Sequence, residues 1–247
     1  LAGGVALNCV ANGKILKENI FENIWVQPAA GDAGGALGAA LALWHIDLGK
    51  ERNENFSDNM NCSYLGPEYS NEEIKDILIE IGANFKSLPK EDLLNFTIEN
   101  LIKGNAIGWF QGKMEFGPRA LGNRSIIGDA RSPDMQKKLN LKVKFRESFR
   151  PFAPSILKND VSNWFEMTDD SPYMLMVANV KKNKINKMTT EEEKLFGIDK
   201  LNIKRSTIPA VTHVDYSARI QTVDHKFNTR YFKLLKKFKE KTGCPVL

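Results

Sequence analysis

Residues 115–125, Glu-Phe-Gly-Pro-Arg-Ala-Leu-Gly-Asn-Arg-Ser, set Arg119 and Arg124 among glycines, in a stretch with neither helical nor strand periodicity. That composition makes an anion-binding loop. Glycine lets the backbone approach a ligand, and a guanidinium fork matches phosphate or carboxylate oxygens in pairs. A second cationic cluster follows at 142–154, where Lys144, Arg146 and Arg150 stand at even spacing between aromatic residues. Even spacing puts all three on one side if the segment is extended. Lysine adds a compact, movable charge to the arginine forks, so a site holding both suits a phosphorylated substrate. Surface ion pairing is the alternative for any single Arg–Glu pair, because exposed pairs are common and individually weak. Two dense clusters so close in sequence, mixed with Gly, Pro and aromatics, favour anion chemistry.

Two further segments carry candidate groups. Residues 31–38, Gly-Asp-Ala-Gly-Gly-Ala-Leu-Gly, follow a short apolar run and open a helix, so backbone N–H groups there could face a phosphate. Asp32 as a helix N-cap, followed by small residues for close packing, explains the segment equally well. It fits neither the dinucleotide fingerprint nor the P-loop. Residues 212–219 join two apolar segments and gather His213, Asp215 and Arg219. Such a turn either presents His213 or Arg219 to a ligand or is a plain hairpin built on an Asp turn. No Gly-x-Ser-x-Gly elbow and no Cys–His signature supports a covalent serine or cysteine mechanism.

The elements that must position these groups follow from the hydrophobic pattern. In residues 1–50 the order is a glycine-rich strand, a helix over 9–17, a strand at Ile24-Trp25-Val26 and a long helix from Ala33. Residues 51–68 are polar, lack periodicity and contain Gly66-Pro67, which predicts a linker between domains spanning 1–50 and 69–247. Beyond it, helices are expected near 71–82, 90–103, 133–143, 160–166 and 228–242. Strands are expected near 106–111, 125–129, 152–157, 173–180, 209–214 and 218–223, an α/β mixture. The charged stretch 181–208 interrupts this pattern and is expected to be a surface insertion or flexible loop.

Composition narrows the partners. A chain of 247 residues with 42% hydrophobic content can bury a full core, and its longest apolar stretch, Ala33 to Trp44, is too short and glycine-rich to cross a bilayer. Cys9, Cys62 and Cys244 form no CxxC pair, which fits a reducing, cytoplasmic setting. His45, His213 and His225 are too dispersed to suggest zinc. The net charge of +5 permits nucleic-acid binding. Many of the lysines, however, alternate with the apolar stripe Tyr231, Phe232, Leu234, Leu235 and Phe238, as on a solvated helix face, which argues against it. The chain opens within an apolar pattern, without Met, and ends at Cys244-Pro245-Val246-Leu247, which reads as the start of a buried strand. A piece of a longer protein is the expectation.

Four strings together resemble the nodulation protein U family of O-carbamoyltransferases: 112–125, 144–154, Pro209-Ala210-Val211-Thr212-His213-Val214-Asp215, and Thr242-Gly243-Cys244-Pro245-Val246-Leu247. The segments 3–8 and 31–38 resemble the end of that family's first domain. The resemblance implies a YrdC-like mixed α/β domain preceded by the tail of an actin-like ATPase-fold domain. It also implies that carbamoyl phosphate and ATP, with Mg2+, form carbamoyl adenylate, and that the carbamoyl group then passes to a hydroxyl acceptor, sugar-like or a natural product.

Carried over by motif, Lys144, Arg146 and Arg150 would bind the carbamoyl phosphate or adenylate, joined by Arg219 and His213. Arg119 and Arg124 are weaker additions, since they could equally brace their loop. Gly3, Gly4, Asn8, Gly34 and Gly35 would serve a nucleotide in the first domain. Asp32 would match an aspartate of that domain's Fe2+ site, whose histidines lie upstream of Leu1. Transfer should therefore need the rest of the first domain. The alternatives are an RNA- or nucleotide-binding module of the same fold, or a threonylcarbamoyl-adenylate synthase.

Overall fold

The structure, a computed structural model, describes residues 1–52 and 58–247. Residues 1–50 supply α1 (Cys9–Lys17) and α2 (Asp32–Ala42). Next come α3 (Asn71–Glu80), α4 (Lys90–Ile102), the antiparallel pair β1 (Ile107–Phe110) and β2 (Arg124–Ile127), and α5 (Met135–Lys142). The rest builds β3 (Ser155–Leu157), α6 (Val161–Trp164), β4 (Met176–Asn179), the short α7 (Thr190–Glu193) and α8 (Gly197–Leu201), β5 (Ser217–Val223) and α9 (Thr229–Thr242). This is the mixed α/β architecture that the hydrophobic pattern predicts.

β5 lies in the middle of a three-stranded sheet, parallel to β3 and antiparallel to β4. Every residue of β5 except Arg219 is buried. α9 covers this sheet with Tyr231, Leu234, Leu235 and Phe238, the i, i+3, i+4, i+7 stripe of an amphipathic helix. Asn228 caps its start by accepting from the Tyr231 N–H, and Gly243 ends it with φ 74°, a left-handed turn that glycine adopts without strain. α4 packs beside α9 through Leu94, Ile98 and Leu101. Ser155 exchanges backbone hydrogen bonds with Leu247 at 2.8 and 3.1 Å, so residues 244–247 run along β3 as the buried strand the sequence suggests.

α1 docks directly on β4. A Cβ on Gly13 would lie 2.3 Å from the Val177 carbonyl oxygen, so only glycine permits this approach. The Nδ2 of buried Asn12 donates to the carbonyls of Ala6 (2.8 Å) and Leu175 (3.1 Å), tying helix and sheet together. Ala6, Val26 and Ala30 accordingly share one hydrophobic core with Leu94, Ile220 and Phe238.

Several sequence expectations are corrected. Gly4–Leu7 is a 3-10 turn rather than a strand, because Gly3 turns the chain at φ 92° and its carbonyl accepts from the Ala6 N–H. Residues 24–26 form no strand, although the Trp25 carbonyl accepts from the Leu1 amine at 2.7 Å and the Gln27 N–H donates to the Leu1 carbonyl at 3.0 Å. Gly31, not Asp32, is the N-cap of α2, and Asp32 is an exposed acid in its first turn. Pro209–Val211 forms a 3-10 turn instead of a strand, since Pro209 fixes φ and lacks a donor. The 181–208 stretch is built from short helical pieces and closed by a bridge between Ile185 and Ser206.

Part of the expected linker, residues 53–57, lies outside the described residues. Its later part is packed: Met60, Cys62 and Ser63 are buried, and Tyr64 bridges to Glu115. Asn61, Cys62 and Ser63 all adopt positive φ (46°, 53° and 65°), which costs non-glycine residues energy and persists only because the surrounding core holds it.

Candidate functional site

The loop between β1 and β2 folds around one carboxylate. Oε1 of Glu115, a buried residue, accepts from the backbone N–H groups of Leu121 (2.8 Å), Asn123 (2.8 Å) and Arg124 (3.2 Å). The side chain of Gln221 in β5 donates to the Leu121 carbonyl at 2.8 Å, fastening the loop to the central sheet. Gly122, at φ 99°, presses against the Tyr231 ring, where a Cβ would come within 2.5 Å. The loop is thus rigid, and its Arg119 faces a large cavity.

That cavity, of about 590 Å3, lies between this loop, α5, the 143–153 segment and β5. Arg119, Lys144, Arg146, Arg150, Arg219 and His213 all line it. Among the described residues no Asp or Glu side chain does. Five cations converge there, and an apolar wall that includes Ile127, Leu139 and Phe152 borders them. Such a lining matches the chemistry of a multiply charged anion attached to a flat or apolar group.

Each cation is presented differently. Arg219 is the single partly exposed residue of β5, and its Nε is buried with no hydrogen-bond partner among the described residues. Burial first, then the nearby charge of Arg119, hold its guanidinium below the usual value, opposed by a contact from Cys9. Arg119 donates from Nη2 to the Leu7 carbonyl at 3.3 Å, and its buried Nε also lacks a partner. Arg146 lies over the Phe152 ring at 5.0 Å, which orients its fork by stacking. Arg150 pairs with Glu147 at 2.9 Å while more than half exposed, a bond of little strength that a ligand can displace.

His213 and Arg219 come from one turn. Asp215 Oδ1 accepts from the N–H (3.1 Å) and Oγ (2.6 Å) of Ser217, and the His213 N–H donates to the Ser217 carbonyl, so the Asp turn is formed and both His213 and Arg219 line the cavity. Burial, then Arg219, lowers the His213 pKa below its usual 6.5, against an opposing pull from Asp215. The imidazole is poised as a neutral hydrogen-bonding group.

The remaining candidates do not reach the cavity. Arg124 spends its guanidinium on the carbonyls of Gln111, Gly112, Asn123 and Pro67 and stacks 3.6 Å over the Phe110 ring, so it braces the loop. Gly3, Gly4 and Asn8 lie at the exposed start of the chain, with Asn8 capping α1 through the Ala11 N–H. Gly34 is needed for packing, since a Cβ there would sit 2.1 Å from the Ala29 carbonyl oxygen, while Gly35 is open to its surroundings. Among the described residues no three His, Cys, Asp or Glu side chains gather as metal ligands. Asp32 alone does not form an iron site. The 144–150 segment is not extended either: Phe145 turns it at φ 49°, and its cations converge by a loop rather than by strand alternation. Sequence reasoning did not single out Cys9 as a lining residue, since nothing local predicts that α1 closes the cavity.

The comparisons with known proteins decide the family. Residues 98–247 match the carbamoyltransferase C-terminus and residues 1–41 match the carbamoyltransferase N-terminus. The chain belongs to the carbamoyltransferase family. All of this carbamoyltransferase chain aligns with uncharacterized protein sll1178 of Synechocystis at 57% identity, covering 40% of that protein. It is 40% identical to nodulation protein NolNO of Sinorhizobium fredii, covering 33% of it. It is 31% identical to 3'-hydroxymethylcephem-O-carbamoyltransferase of Streptomyces clavuligerus, covering 40% of it. The carbamoyltransferase chain therefore spans less than half the length of these relatives. No described helix is long and apolar enough to cross a membrane.

Proposed function

We propose that this chain is the carbamoyl-activating part of an ATP-dependent O-carbamoyltransferase. The observation that carries the reading is the convergence of Arg119, Lys144, Arg146, Arg150 and Arg219 on a cavity whose described lining includes no Asp or Glu. Carbamoyl phosphate brings a dianionic phosphate, and ATP brings a further polyphosphate. Only a strongly cationic enclosure neutralises both while keeping water from the activated carbamoyl group.

In this reading carbamoyl phosphate, ATP and water give carbamoyl adenylate, phosphate and pyrophosphate. The guanidinium forks bind phosphoryl oxygens and stabilise charge on the departing phosphates, while Lys144 supplies a charge that can follow it. Neutral His213 offers a hydrogen bond to the carbamoyl group. Magnesium accompanies the ATP polyphosphate rather than residing on the protein, as is usual for this ion at phosphate sites. The adenylate then meets a hydroxyl acceptor, sugar-like or a natural product, in a first domain to which residues 1–50 contribute. That domain would also supply the iron site and its own nucleotide contacts.

An RNA-binding role finds less support. Lys237 and Lys239 of α9 are engaged by Glu91 and Asp160, and the five clustered cations line a concavity rather than an open surface track. A longer protein containing this chain should release pyrophosphate from ATP only when carbamoyl phosphate is present, and Arg219→Ala should abolish that release. Pyrophosphate release independent of carbamoyl phosphate would sink the reading.

A further inference from the structure

The three cations of the 144–150 strap have few attachments of their own. The strap is irregular, Phe145 stands 85% exposed at its crest, and Lys144, Glu147 and Arg150 are exposed. Yet its cations face one cavity, so something beneath must fix the strap. That place is taken by Asn140, a polar residue of α5 with 0% exposure. Its Nδ2 donates to the carbonyls of Ser148 (3.0 Å) and Arg150 (2.7 Å). Its Oδ1 accepts from Nε of Arg146 at 2.6 Å, and its backbone carbonyl accepts from the Arg146 N–H at 3.0 Å. One amide thus holds the later part of the strap and aims the guanidinium, with every polar atom of its side chain used, while the Leu139 carbonyl holds the start by accepting from the Lys144 N–H at 2.9 Å.

We propose that Asn140 is the positioning residue of the anion site, acting on the ligand through Arg146 and the strap rather than by touching it. This rests on the proposed function only in the choice of carbamoyl phosphate as ligand. Asparagine is specified chemically: it alone combines, at this size, two donors for carbonyls with a neutral acceptor for Arg146. Aspartate would keep the acceptor and set a carboxylate against the carbonyls of Ser148 and Arg150. Alanine would leave those two carbonyls and the Arg146 Nε without their partner.

The test uses the 247-residue chain and reads carbamoyl phosphate and inorganic phosphate binding by calorimetry alongside amide exchange at Arg146 and Arg150. Asn140→Ala should weaken binding by roughly tenfold to a hundredfold, the worth of hydrogen bonds to a charged group. It should also speed exchange of the strap amides by about tenfold or more, without ligand, while exchange in α9 stays as it was. In the double variant with Arg146→Ala, the combined loss should be smaller than the product of the two single losses, because the residues act as one unit. Losses that multiply, or wild-type binding with an ordered strap in Asn140→Ala, would overturn the assignment.

If Asn140→Ala fails to fold, Asn140→Asp carries the same readouts. Weakened binding with faster strap exchange supports the assignment, and unchanged values overturn it. A wild-type chain that binds inorganic phosphate but not carbamoyl phosphate would refute the proposed substrate, and the inorganic phosphate titrations then decide the role of Asn140. Binding of neither anion would overturn both.

Discussion

Arg119 and Arg219, a hundred residues apart in sequence, line the same cavity, and the Nε of each is buried without a hydrogen-bond partner among the described residues. Two like charges held this way disfavour one another, and a dianion bound as proposed would relieve both at once.

Replacement of Arg219 by Met should therefore separate function from stability. Inorganic phosphate or carbamoyl phosphate binding should fall by roughly tenfold to a hundredfold. Thermal unfolding should occur at the same temperature or higher, since a buried cation beside another is removed. A large drop in unfolding temperature would show that Arg219 is structural.

Arg124→Ala should give the opposite pattern. Its guanidinium serves four backbone carbonyls and the Phe110 ring, so its loss should cost about 1.5–3 kcal/mol in denaturant unfolding. Phosphate affinity measured below the transition should stay within about twofold, because the side chain is not among the cavity's lining residues.

Gly13→Ala should destabilise the chain by about 1–3 kcal/mol, because the new methyl meets the Val177 backbone, which cannot swing aside as a side chain would. Exchange protection should fall first in α1. Unchanged stability would mean that α1 does not dock on β4 as described.

His213 gives a pH signature. Its folded pKa lies below the usual 6.5, so the folded state binds fewer protons than the unfolded chain between the two values. Its contribution to stability is full above the usual value and is lost as pH falls from there toward the folded value. Phosphate binding should raise the His213 pKa by placing negative charge nearby. Proton-detected titration of the imidazole with and without phosphate checks both statements, and an unmoved midpoint would place the anion elsewhere.

The long helices and the central strands were legible because their patterns are strong. α9 declares its stripe and its Gly243 stop, and α3 carries the Ser70/Glu73 capping box. The cations of the cavity were legible as residue types, and all five were named from spacing and motif, together with His213. What local reading could not give was how they meet. Lys144, Arg146 and Arg150 converge through a positive-φ turn at Phe145 and an anchor at Asn140, an ordinary helix residue in the sequence. Arg119 and Arg124 look alike in sequence and divide between ligand cavity and loop brace because Phe110 and four carbonyls lie near only the second. The three left-handed residues 61–63 are non-glycine, so no residue type announces them.

The most direct test of the central claim is calorimetric titration of the 247-residue chain with carbamoyl phosphate, with Arg219→Ala alongside. Saturable binding at one site, tighter than for inorganic phosphate and lost in the variant while folding is retained, is the predicted result. A folded wild-type chain that takes up no carbamoyl phosphate, or that binds it equally well without Arg219, would contradict the account.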